Sequence, residues 1–69
     1  MTLEEVVERF GSMSNAAKAI NVSRQAVTNW RRIGYIPLLQ QYRFAEATEG
    51  ELLPDLVDPA EKGKKRLNN

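Results

Sequence analysis

Three short apolar stripes occupy the first half of this chain, each opened by a capping residue and closed by one suited to a sharp turn. That pattern leaves little but a cluster of short helices. Thr2 followed by Glu5 is a capping box, in which each side chain satisfies the other residue's backbone N–H. Behind it Leu3, Val6, Val7 and Phe10 fall at i, i+3, i+4 and i+7, the spacing of one helix face, and Gly11 is placed to end the helix left-handed. Ser12 caps a second stripe of Met13, Ala16, Ala17 and Ile20, after which Asn21 stands where the chain must turn, asparagine being tolerant of positive φ. Ser23 caps a third stripe of Ala26, Val27, Trp30 and Ile33, closed by Gly34.

The second half reads less sharply. Pro37 suits the first turn of a fourth helix that runs through LLQQYRFAEATE to Gly50. Between Leu38 and Val57 only Thr48 and Val57 are β-branched, and Pro54 would interrupt a paired strand, so a β-hairpin is poorly supported. A short fifth helix or turn is expected around Leu52, Leu53, Leu56 and Val57. The sequence therefore predicts an all-α fold of five short helices over residues 1–58. Its expected core is Val6, Val7, Phe10, Ala17, Ile20, Val27, Trp30 and Phe44. Residues 59–69 are nearly devoid of apolar side chains and are expected to form a disordered basic tail.

Composition narrows the chemistry. In 69 residues there is no cysteine and no histidine, which removes disulfides, zinc fingers, thiol nucleophiles and histidine bases together. A chain this small rarely builds a deep substrate pocket, so a binding module is expected in place of an enzyme, with no cofactor and no small-molecule ligand. Glu46 and Glu49 read as exposed helix charges, not as a catalytic pair. No apolar run is long enough to span a bilayer, and Glu4, Glu5 and Glu8 stand where a signal peptide would carry basic and apolar residues. A cytoplasmic protein without a membrane partner is expected.

The net charge of +1 hides a segregation. Arg9, Lys18, Arg24, Arg31, Arg32 and Arg43 lie between positions 9 and 44 with no acid among them, whereas Glu46, Glu49, Glu51, Asp55, Asp58 and Glu61 follow with no base. Lys62, Lys64, Lys65 and Arg66 then return the sign to positive, where they would add non-specific attraction to phosphate. A basic middle suits a polyanion, because phosphate contacts and counterion release need clustered Lys and Arg.

The function-bearing arrangement is the pair of short helices joined by a turn at Ile20 to Ser23, a helix-turn-helix pattern. Ala17 is the small residue that lets the next helix cross closely, Asn21 the turn residue, and Ile20, Val22, Val27 and Trp30 the apolar anchors. At roughly 100° per residue, the arc of the third helix opposite its apolar stripe holds Arg24, Gln25, Thr28 and Arg32, with Asn29 on the edge. Arginine pairs with guanine, glutamine and asparagine with adenine, and the threonine methyl meets thymine in the major groove. The arc carries no acid, which sets it apart from an ordinary solvated face. Ser14, Asn15, Lys18 and Ser23 are candidates to hold phosphates, and Arg31, nearer the buried side than Arg32, to hold a phosphate or to pack. Arg43 would reach the DNA backbone or pair with Glu46 or Glu49.

The stretch FGSMSNAAKAINVSRQAVTNWRRIGYIP resembles the Cro repressors of temperate bacteriophages, with FG, then AAKAI, then VS..AV..W, then IP. The resemblance spans Thr2 to roughly Val57 and departs from the usual pattern at Asn21, where glycine is common. It implies an operator-binding repressor whose third helix reads the major groove of double-stranded DNA, with base contacts at Arg24, Gln25, Thr28, Asn29 and Arg32. Relatives differ in the C-terminal half, and FAEATEGELLPDL is similar to the all-helical kind. Excisionases and small terminase subunits carry a similar VSRQAVTNW helix but usually add a wing of strands, for which this chain has no good candidate. Cro-like antitoxins would differ mainly in genetic context. A helical protein-binding module acting through the acidic, leucine-rich segment from Glu46 to Asp58 is the reading from another class. One helix-turn-helix touches few base pairs, so a weak homodimer that pairs on DNA is expected, with Leu52, Leu53, Leu56 and Val57 as its interface.

Overall fold

The computed structural model describes residues 1–60. Within them run four helices, α1 (Leu3–Phe10), α2 (Met13–Ala19), α3 (Arg24–Ile33) and α4 (Leu38–Ala47), and no strand. The local signals explain the first three. Glu5 N–H donates to Thr2 Oγ1 at 3.1 Å while Thr2 N–H donates to Glu5 Oε1 at 2.8 Å, completing the capping box. Gly11 closes α1 at φ 95°, and Gly34 closes α3 at φ 93°. Ser12 Oγ accepts from Asn15 N–H at 3.0 Å, and Ser23 Oγ from Ala26 N–H at 3.1 Å, so α2 and α3 each begin on a serine cap.

The stripes meet in one core of Val6, Ala16, Ala17, Ile20, Val27, Trp30, Ile36 and Phe44, all buried. α2 packs against both α1 and α3. Ala16 and Ala17 expose almost nothing, and their small side chains let the neighbouring helices come close. Phe44 reaches in from α4 and meets Trp30 edge to face, with ring centroids 6.2 Å apart, and Phe10 at 5.9 Å. Val7 and Phe10, expected in the core, are only half-buried, and Ile33 is more than a third exposed on the flank of α3. Ile36, beyond Gly34, is buried in the core.

The C-terminal half departs from expectation in two ways. α4 stops at Ala47, short of Gly50, because Thr48 turns its hydroxyl back onto the Phe44 carbonyl at 2.8 Å and also accepts from Leu52 N–H at 3.1 Å. Glu49 and Gly50 then take left-handed backbone and reverse the chain. The fifth helix expected around Leu52, Leu53, Leu56 and Val57 is also absent, residues 51–58 being bends and irregular chain. Pro54 has no N–H to give a helix and disfavours helical backbone in the residue before it.

Polar contacts hold this segment instead. The wholly buried Gln41 donates from Nε2 to Ile36 O at 2.8 Å and to Asp55 Oδ2 at 3.1 Å. Its Oε1 accepts from Asp55 N–H at 2.8 Å and from the Met1 amino nitrogen at 3.3 Å. That amino group also lies 2.7 Å from Asp55 Oδ1. Pro59 and Ala60 have helical backbone, and the disorder expected of the basic tail falls, from residue 61 onward, outside the described residues.

Candidate nucleic-acid interface

The turn between α2 and α3 decides how the third helix is presented. Ile20 ends α2, Asn21 takes φ 60°, and Val22 N–H donates back to Ala17 O at 2.9 Å. The left-handed residue lets two short helices cross with only four residues between them, while Ile20 is buried and Val22 packs against the core. Asparagine supports this backbone at a cost that glycine would avoid.

With Ala26, Val27 and Trp30 turned inward, Arg24, Gln25, Thr28, Asn29 and Arg32 all stand exposed on the opposite arc of α3. Arg32 donates to Asn29 Oδ1 at 2.6 Å, so two of the five already touch. Ser14, Asn15 and Lys18 are exposed on α2, opposite its buried alanines. Asn15 has a structural task as well, its Nδ2 donating to Phe10 O at 2.9 Å across the α1–α2 turn. Arg31 is exposed but lines an open groove of about 950 Å³ with Glu4, Glu8 and Tyr35, away from the centre of the arc.

Arg43 donates to Ile20 O at 2.8 Å and to Gln40 Oε1 at 3.1 Å. Its bonds thus go neither to Glu46 nor to Glu49. Among the described residues, ion pairs join the Met1 amino group to Asp55 and Arg9 to Glu51, and neither draws on a cation of α2 or α3. The positive charge of the two helices is therefore available to an outside anion.

Sequence reasoning missed a second exposed feature. Leu39 and Tyr42, one turn apart on α4, are 70% and 55% exposed. Leu53, Leu56 and Val57 are also exposed, whereas Leu52 packs against the core. Phe44 was expected in the core and lies there, but the i, i+3 spacing of Leu39 and Tyr42 did not reveal that they face away from it. Gln41, a polar residue in the fully buried position, is the reason.

A capped α3 carrying an acid-free polar arc, set across α2 by a left-handed turn, defines a helix-turn-helix domain of the DNA-reading class. The family described as DNA-binding transcriptional regulator Cro matches residues 2–64. The chain belongs to that family, and so is a DNA-binding transcriptional regulator. Among solved structures, N15 Cro complexed with consensus operator DNA is similar over 100% of both chains, with 30% identity and a TM-score of 0.75. No curated protein sequence matches significantly. No helix among the described residues is long and apolar enough to cross a membrane.

Proposed function

We propose that this regulator is a phage Cro-type repressor that occupies a palindromic operator, with α3 in the major groove. The observation that carries the reading is the arc of Arg24, Gln25, Thr28, Asn29 and Arg32, each exposed, free of acid and presented by a Ser23-capped helix. Its chemistry matches the donor and acceptor pattern of the major groove, and the likeness to an operator-bound Cro supports the same orientation. Ser14, Asn15, Lys18, Ser23 and Arg31 flank the arc as the groups that hold phosphates and fix register.

One such helix reads only a few base pairs, so specificity needs two copies on half-sites roughly one DNA turn apart. The basic face cannot supply their contact because like charges would oppose. Leu53, Leu56 and Val57 form the face for a second copy, with Leu52 anchoring that segment to its own core. So small a patch gives a monomer or weak dimer in solution that pairs on DNA.

The test is a shift assay on a selected library of palindromic sites. Gln25→Ala or Arg32→Ala is expected to cost about 1–3 kcal/mol on the preferred site and to relax preference at one base pair. If both variants keep the wild-type preference and affinity, α3 is not the reading helix.

A further inference from the structure

Arg43 lies on α4, outside the helix-turn-helix, yet its longest-range bond goes to the residue that caps the C-terminus of α2. Nη2 donates to the Ile20 carbonyl at 2.8 Å, a contact spanning 23 positions in sequence, while Nη1 is steadied by Gln40 Oε1 at 3.1 Å. The carbonyls at the end of a helix have no partner within it, and they carry the negative end of its dipole. Around this turn Val22 N–H serves Ala17 O and Asn21 N–H serves Lys18 O. Ile20 O receives the guanidinium instead. The next residue, Asn21, holds φ 60° without being glycine, so the turn depends on neighbouring contacts more than a glycine turn would.

We propose that Arg43 is a positioning residue for DNA reading: it caps the C-terminus of α2 and braces the Asn21 turn, so fixing the angle at which α3 is presented. This rests on the reading of α3 as the DNA-reading helix. A loosened turn lowers the fraction of molecules able to bind, and the apparent affinity falls with that fraction. A phosphate contact by Arg43 would act differently, because removing it releases fewer counterions and flattens the dependence of affinity on salt.

The experiment compares wild type, Arg43→Met and the double variant Arg43→Met/Asn21→Gly in the full chain. It measures affinity for a selected site across a salt series, together with amide exchange at Asn21 and Val22 in the free protein. Arg43→Met is expected to bind about three- to ten-fold more weakly, the worth of one ordinary net hydrogen bond. Its salt slope should equal that of wild type, exchange at the two turn amides should speed up, and glycine at position 21 should recover most of the affinity. A slope flatter by about 0.9 per bound copy, with turn exchange unchanged, would assign Arg43 to a phosphate and overturn the proposal. Unchanged affinity and exchange would overturn it equally. Should Arg43→Met not fold, Arg43→Gln is read by the same slopes and exchange rates. A wild-type chain that selects no site would instead refute the DNA-reading assignment of α3, while the exchange comparison still decides whether Arg43 braces the turn.

Discussion

Replacing Gln41 by leucine separates two views of this fold, one in which the core is only apolar and one in which a buried amide holds the C-terminal segment. Gln41 is 0% exposed, and all four of its hydrogen-bonding positions are used, by Ile36 O, Asp55 Oδ2, Asp55 N–H and the Met1 amino group. Leucine fits the space and gains roughly 1 kcal/mol of apolar burial. Against this, the Ile36 carbonyl is left in an apolar surrounding without its donor, at a cost of about 1–3 kcal/mol, and the Asp55 N–H loses its acceptor. Asp55 keeps 41% of its side chain exposed, so water replaces part of what its carboxylate loses. The net expectation for Gln41→Leu is a loss of about 1–3 kcal/mol, and Gln41→Ala adds about 2 kcal/mol for the cavity. A domain of this size holds roughly 3–10 kcal/mol in all, so either variant consumes a large share. Urea denaturation measures it. With m about 1 kcal/mol/M for so small a domain, the Gln41→Leu midpoint should fall by about 1–3 M at unchanged m. A midpoint within about 0.3 M of wild type would show that the polar hub contributes no net stability and that the reasoning is wrong.

Gly34→Ala should lose about 1–2 kcal/mol through backbone conformation alone, because φ is 93° and a Cβ there would meet nothing within 4 Å; equal thermal stability would refute this. Lys18→Ala should weaken specific and random DNA evenly and flatten the salt slope by about 0.9 per bound copy, whereas a change in preferred sequence would move Lys18 into the reading set. Leu53→Lys should stay folded, since Leu53 is 68% exposed, but should lose cooperative binding to a palindromic site in sedimentation and shift assays. If it still pairs on DNA, the exposed Leu39 and Tyr42 of α4 become the face to vary next.

The first 34 residues declared their structure because their signals are local. A cap hydroxyl three residues from the N–H it serves, a stripe at 3.6-residue period and a glycine at the stop act within one or two turns, so Thr2, Ser12, Ser23, Gly11 and Gly34 could be placed by reading alone. The acid-free arc of α3 was legible for the same reason, since the helix period and the inward pull of Val27 and Trp30 fix which residues face out.

What lies beyond Gly34 depended on contacts far apart in sequence. Nothing local marks Gln41 as the residue turned into the core of α4, because its burial is stable only when Ile36, Asp55 and the Met1 amino group converge on it. That choice turned Leu39 and Tyr42 outward and drew the segment around Pro54 into an irregular strap where a fifth helix was expected. The bond from Arg43 to Ile20 was equally out of reach, for charge patterning offers an arginine only to phosphates or acids, whereas the packing of α4 set it against a helix-end carbonyl. Helix caps and faces are thus written in neighbouring residues, but the partners of buried and bridging polar groups are set by tertiary packing, because a hydrogen bond is short and directional and exists only once both ends have been brought together.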